Sequence, residues 1–281
     1  MADPTTTTTG LDAIRAAFAR AHAEGRATFM PFFSIGYPDL PASLDVIAAL
    51  AGAGADAIEI GMPFSDPLAD GPTIQHASQI ALQNGIRTAD CIAAVRTLRA
   101  RGVSVPLVMM GYINPLLSYG LDRFVADAAA AGASGFIVPD LPPEEAAEMA
   151  GHSAAHGLAL IPLIAPTSTP ARIRQVTANA RGFVYLVSVT GVTGARDALP
   201  PDLADYVRRV RGLTPLPLAV GFGISRPEQA AAVAALADGV IVASALIQRM
   251  ARGGIGAVRD LAAALRAACA QPALNEQERE R

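Results

Sequence analysis

The stretch DAIEIGMPFSDPLADGPTIQ, Asp56 to Gln75, sets acids in two different surroundings. Glu59 sits inside the apolar run Ala57-Ile58-Glu59-Ile60, and Asp66 and Asp70 follow on a loop stiffened by Pro63, Pro67 and Pro72. Burying even a neutral polar group without a partner costs roughly 2–7 kcal/mol, and a charge costs more. A carboxyl in an apolar strand and another on a polar loop have pKa values that diverge. One can cycle a proton while the other stays anionic. The plainer readings stay open at this point. Glu59 would belong to a structural ion pair, and Asp66 and Asp70 would cap a helix starting near Pro72-Thr73.

The other reactive types narrow the chemistry. The chain has no lysine, and all 22 of its basic residues are arginine. No side chain can therefore form an imine with a carbonyl substrate. Cys91 and Cys269 are solitary and match no zinc pattern, which fits a reducing cytoplasm. His152 and His156 stand four apart, a spacing that can bind metal. They fall near a helix end that a barrel places away from its catalytic face, so no metal is expected. His76 reads as a helix surface residue.

These groups need a frame. Short apolar runs lie at 29–35, 57–60, 107–110, 135–138, 159–164, 183–187, 216–220 and 239–242. Helical patterns alternate with them at 43–51, 91–101, 121–131, 144–156, 170–179, 201–210, 227–237 and 255–270, after an extra N-terminal helix at 11–23. Eight such units predict an α/β protein, a single (β/α)8 TIM barrel spanning 1–281 with frayed tails at 1–9 and 274–281. The length suits that fold. An open doubly wound sheet is the alternative, disfavoured because no Gly-x-Gly-x-x-Gly follows the first strand. With 52% apolar and 17% charged residues, a large core is available. A net charge of −3 with no basic cluster argues against nucleic acid. No apolar run reaches the ~18 residues of a membrane span. The start MADPTTTTTG lacks the basic and apolar blocks of a secretion signal.

A barrel carries its site where the strands end. After the sixth and seventh strands come Thr190-Gly191-Val192-Thr193-Gly194-Ala195-Arg196 and Gly221-Phe222-Gly223-Ile224-Ser225. After the eighth, Ser244 opens a short helix. Glycine-rich turns and a helix N-terminus hold phosphate through backbone N–H groups, without lysine. Alternatively, the glycines only make tight turns.

The stretch ADAIEIGMPFSDPLADGPTIQ resembles the signature of the tryptophan synthase α subunit family. The likeness continues through MGYINP, GFIVPDLPPEE, LIAPTS, YLVSVTGVTGAR and VGFGIS, in order from Phe29 onward. It implies a (β/α)8 barrel that cleaves indole-3-glycerol phosphate to indole and glyceraldehyde 3-phosphate. It also implies a cytoplasmic α2β2 heterotetramer in which the β subunit joins indole to serine with pyridoxal phosphate, while this chain needs no cofactor. The resemblance puts the family's catalytic acids on Glu59 and Asp70 and its active-site tyrosine on Tyr185. Phe29, Met110 and Ile137 fall on the indole pocket. Gly194, Gly223, Ala243 and Ser244 fall on the phosphate site, with Ala243 where glycine is usual. Thr193 and Arg196 fall on the lid after the sixth strand, where Val189 replaces an arginine of some members. The acidic loop lies at the barrel mouth, where a β subunit would dock, so Asp66 would pair with a basic residue of that partner, a turn role being the alternative, and Asp140 is a second candidate contact. Rival readings are a free-standing lyase that releases indole, a phosphosugar epimerase and a non-catalytic activating barrel.

Overall fold

A computed structural model describes residues 8–187, 199–221 and 223–270. Its strands are β1 (Thr28–Ser34), β2 (Ile58–Gly61), β3 (Leu107–Met110), β4 (Gly135–Ile137), β5 (Ala159–Ile161), β6 (Leu163–Ile164), β7 (Val184–Val187), β8 (Leu218–Gly221) and β9 (Gly239–Val242). All pairs are parallel, in the order β5-β4-β3-β2-β1-β9-β8-β7-β6. The two ends of that order are consecutive halves of one strand. Pro162 separates them because it has no N–H to give a ladder, while its carbonyl accepts the Tyr185 N–H at 2.9 Å. The sheet is thus a closed ring of eight strands, as the alternation predicts.

The helices are α1 (Gly10–Ala23), α2 (Leu40–Gly52), α3 (Pro72–Gln83), α4 (Thr88–Ala100), α5 (Ile113–Tyr119), α6 (Leu121–Ala131), α7 (Ala147–Ala155), α8 (Pro170–Thr177), α9 (Leu203–Arg211), α10 (Pro227–Ala234) and α11 (Ser244–Ala268). The sequence pattern does not separate α5 as an element. It is a short helix in the loop after β3, with only Leu116 buried. A seven-residue helix shows too few turns for a 3.6-residue period to register. Gly254, at φ 67°, kinks α11 into the short helix opened by Ser244 and the longer final one. Thr9, the last residue of the expected N-terminal tail, belongs to the cap of α1, and residues 1–7 lie outside the described range. Thr9 accepts the Asp12 N–H and caps α1 in a reciprocal capping box. Residues 274–281 lie outside the described range. Among the described residues, no helix is long and apolar enough to cross a membrane.

Two apolar layers follow from the strand period of two. Ile58, Ile60, Leu107 and Val220 face the helices. Met30, Ala57, Val108, Ile137, Phe183, Tyr185, Ala219 and Ile241 meet inside the barrel. The inside layer is closed at the N-terminal end of the strands by α1. Its Leu11, Ile14 and Phe18 pack into the same cluster, with the Phe18 and Phe183 rings 5.4 Å apart.

The same end carries a buried ion pair. Asp56, 3% exposed, accepts both guanidinium nitrogens of Arg26 at 2.6 and 2.8 Å and the Phe29 N–H at 2.9 Å. Arg26 has no other way to satisfy its charge in place, apart from Glu24 at 2.6 Å. Removing one partner of such a pair strands the other. Asp56→Ala is therefore expected to lower unfolding stability by about 3–5 kcal/mol, read as a reduced urea midpoint. A midpoint equal to wild type would show that the pair contributes nothing net.

Candidate active site

Glu59 owes its position to β2, which is paired on both sides: Glu59 lies opposite Phe32 of β1 and Val108 of β3. Its neighbours Ile58 and Ile60 pack outward, so Glu59 shares the inward face with Ala57. It is 2% exposed, and its Oε1 has no hydrogen-bond partner. No ion pair reaches it among the described residues, so none of them supports the structural ion-pair reading. Burial alone pushes its pKa up to about 8. Glu59 is therefore a neutral acid at pH 7, able to give a proton and then take one back.

Asp70 closes the loop after β2. It is 6% exposed, and burial pushes its pKa up to about 6 against the lowering effect of a hydrogen bond from Tyr112. Tyr112 was not singled out by the sequence. Its hydroxyl donates to the Asp70 carboxylate and accepts the Ala69 N–H at 3.0 Å. The Asp70 backbone is held too: its N–H donates to the Pro67 carbonyl at 3.1 Å, and Gln75 Nε2 donates to its carbonyl at 2.8 Å. The helix-cap reading fails for both acids. The N-cap of α3 is Gly71, with no side-chain cap bond and Pro72 in the first turn. Asp66 stays exposed and accepts the Ser65 hydroxyl at 2.5 Å.

Tyr185 comes in from the far wall on β7 and is 4% exposed. Burial raises its pKa well above the ordinary phenol value, and the charges of Glu59 and Asp70 raise it further. The three groups thus share one electrostatic environment, although 126 residue numbers separate Glu59 from Tyr185. Gly221 makes room for it, since a Cβ there would collide with the Tyr185 ring and hydroxyl.

Met110 and Ile137 face the same interior. Phe29 does not: it packs in the strand–helix layer, opposite Val240 near the start of β1. Met30 takes the inward face of that strand, and Phe32, two residues on, follows it by alternation although its ring also touches the outer core. Phe32 lines a small cavity of about 10 Å³ together with Gly61, Asp70, Met110 and Tyr112. Every residue of β1 is buried, so hydropathy does not distinguish its faces. The signal that finds Phe32 is its place across from Glu59 and nearer the strand's C-terminal end.

The loops after β8 and β9 are neighbours because those strands pair. Gly223 adopts φ 81°, a conformation that favours glycine. Ser244 is buried at the first turn of α11, where N–H groups lack helical acceptors. Ala243 precedes it, and its methyl packs against the strand–helix core. Gly194, Thr193, Arg196 and Val189 lie outside the described residues. Asp140 is exposed on the loop after β4, where its carboxylate accepts the Ile113 N–H at 3.0 Å. Among the described residues, no three His, Cys, Asp or Glu side chains cluster to hold a metal ion. His152 faces Asp122 and Glu148 at 3.4 and 3.8 Å, on the outer helices.

A closed parallel barrel with two buried carboxyls and a tyrosine at its mouth, beside glycine turns and a helix N-terminus, defines a barrel enzyme of the acid–base type. Comparison with known proteins agrees. The family model described as Tryptophan synthase alpha chain matches residues 18–276. The tryptophan synthase alpha chain of Chloroflexus aggregans is 56% identical over 242 residues, covering 86% of this chain and 91% of its own. That of Acidiphilium cryptum is 52% identical over 240 residues, covering 85% and 87%. Among solved structures, tryptophan synthase from Mycobacterium tuberculosis superposes with a TM-score of 0.87 at 41% identity, covering 92% of this chain and 98% of that one. The alpha subunit from Legionella pneumophila gives 0.85 at 36%, covering 92% and 98%. The chain belongs to the tryptophan synthase alpha chain family.

Proposed function

We propose that Glu59 and Asp70 carry out the family's reaction in this chain, the cleavage of indole-3-glycerol phosphate to indole and glyceraldehyde 3-phosphate. The observation that carries the assignment is the buried Glu59, one carboxyl oxygen of which has no hydrogen-bond partner among the described residues, sharing Tyr185 with an acid held by a second tyrosine. The bond to be broken joins indole C3 to the glycerol chain. Glu59 protonates C3, which leaves a positive charge shared with the ring nitrogen. Asp70, ionised, accepts the indole N–H and stabilises that charge. Glu59, now a carboxylate, removes the proton from the adjacent side-chain hydroxyl. The oxygen's electrons form the aldehyde carbonyl, the C3–carbon bond breaks, and its pair returns to the ring. The substrate is its own electron sink, so this chain needs neither lysine nor a cofactor. Tyr185 stays a neutral phenol and walls the site between the two acids. Met110, Ile137 and Phe32 offer an apolar bed for the indole ring, and Gly223 with Ser244 holds the phosphate.

The test is purified protein with indole-3-glycerol phosphate, assayed for indole and aldehyde in equal amounts. The reaction needs Glu59 protonated and Asp70 ionised. Activity is therefore expected to rise through about pH 6 and fall through about pH 8. A rate that keeps climbing above pH 9 would contradict the role given to Glu59.

The mouth also fits a partner. Leu68, on the loop between Asp66 and Asp70, is 85% exposed, and Leu117 of α5 is 55% exposed. Exposed leucines beside acids suit an apolar, basic docking face. The partner proposed is the tryptophan synthase β subunit, in an α2β2 assembly, with pyridoxal phosphate held by β. Indole is small and apolar, so direct capture avoids its loss to water and membranes. Asp66→Ala separates partner contact from a turn role. Basal cleavage is expected to stay within twofold, while activation by added β subunit falls about tenfold. Intact activation would place the coupling elsewhere. Indole release that no β subunit alters would favour a free-standing lyase.

A further inference from the structure

Tyr112 has more partners than a wall residue needs. Its hydroxyl bridges the Ala69 N–H and the Asp70 carboxylate. Its ring stacks on Phe64, with centroids 5.2 Å apart and planes at 30°. One side chain from the loop after β3 therefore grips three points of the loop after β2. Tyr112 is also the N-cap residue of α5, and the next N–H, that of Ile113, is tied to the Asp140 carboxylate at 3.0 Å. A carboxylate at a helix N-terminus is a favourable anchor. Asp140 is exposed on the loop after β4. A continuous line of contacts thus runs from the surface of a third loop to the buried Asp70.

We propose that Tyr112 is the positioning residue that holds Asp70 for reaction, and that Asp140 sets Tyr112, so that contact at the loop after β4 is transmitted to Asp70. The proposal rests on the role given to Asp70 above. It adds two residues that never touch the reacting atoms. The groups that bear on Asp70 are few. Tyr112 reaches it from the loop after β3, and Tyr185 feels both Asp70 and Glu59 across the barrel. Asp140 acts on the Tyr112 hydroxyl from the loop after β4. Of these, only Tyr112 lowers the Asp70 pKa against burial. Deleting its hydroxyl while keeping its ring therefore removes the grip and leaves the stacking on Phe64.

The experiment follows Asp70 directly, by carboxyl-carbon NMR titration of the full chain, alongside the pH profile of indole release. In the wild type, the Tyr112 ring-carbon shift is expected to change with the same midpoint as Asp70. In Tyr112→Phe the Asp70 midpoint is expected to rise by about one pH unit. The acid limb of the rate profile should move up with it, with kcat about twofold lower at pH 7, about tenfold lower near pH 5, and KM within about twofold. Asp140→Ala should move the same limb in the same direction by less. Asp140→Asn keeps an oxygen acceptor for the Ile113 N–H and should restore it. An unmoved Asp70 midpoint in folded Tyr112→Phe overturns the role of Tyr112. If Tyr112→Phe does not fold, the wild-type titration decides, and a Tyr112 shift that ignores the Asp70 midpoint is the overturning result. A shift in Tyr112→Phe but none in Asp140→Ala overturns the transmission from the loop after β4. Wild-type protein that makes no indole would sink the proposed reaction instead, and the titration arm would still judge the grip on Asp70.

Discussion

Glu59→Gln is expected to reduce indole formation by at least about 10²–10⁴-fold, because one carboxyl serves both proton transfers. Glutamine keeps the shape and the buried position but offers no acidic proton to C3 and no base for the hydroxyl. The change should not harm the fold. Glu59 is 2% exposed, with one oxygen unpartnered and a pKa pushed up to about 8, so folding holds it as a neutral group already. Replacing a neutral acid by a neutral amide leaves no stranded charge. Binding of substrate should survive, since the phosphate and ring contacts lie elsewhere. The kinetic signature is therefore a loss in kcat with KM within a few-fold, and the limb near pH 8 should vanish from any residual rate. A variant with turnover near wild type would remove Glu59 from the chemistry. Unimpaired binding is read by calorimetry with glycerol phosphate and indole.

Gly223→Asp is expected to weaken glycerol phosphate binding on the order of 100-fold, the scale of one added negative charge about 5 Å from the anion at intermediate dielectric. Gly223 sits at φ 81° in the turn after β8, beside the first turn of α11 on the neighbouring strand. Two effects act in this variant: the charge opposes phosphate, and any side chain strains a positive φ. Gly223→Ala separates them, since it carries the strain without the charge. Indole alone should bind both variants as it binds wild type, because its proposed bed is formed by Met110, Ile137 and Phe32. Wild-type phosphate affinity in a folded Gly223→Asp protein would move the anion site away from this turn. A loss equal to that in Gly223→Ala would show that backbone strain, not charge, disrupts the site.

Much of this was legible before any coordinates. The alternation of short apolar runs with helical patterns specifies a parallel α/β sheet, and eight units without a Gly-x-Gly-x-x-Gly favour closure over an open doubly wound sheet. The absence of lysine excludes an imine, and an acid inside an apolar strand announces a displaced pKa. These are properties of local composition and of periods within one element, so a linear reading captures them. The side to which Glu59 points was not legible: an acid in a short apolar run can face the barrel interior or the helices, and alternation alone allows both.

Only the tertiary structure decided the rest. In β1 both faces are buried, so the sequence held no preference between Phe29 and Phe32. The register that sets Phe32 opposite Glu59 is a property of two strands together. Whether Glu59 had a cationic partner depended on what the barrel brings near it, and a group that feels its charge, Tyr185, comes from the opposite wall. The cap position open to Asp66 and Asp70 is held by Gly71 with no side-chain cap bond, while Asp70 is bound by Tyr112, 42 residues beyond it, and Asp66 by Ser65. Pro162 looked like an ordinary strand residue, yet it divides the fifth strand where the ring closes. Apart from the Ser65 bond, each of these outcomes turns on contacts between segments far apart in the chain. Hydropathy and propensity act within a segment and carry no information about which distant segment will supply the hydrogen bond.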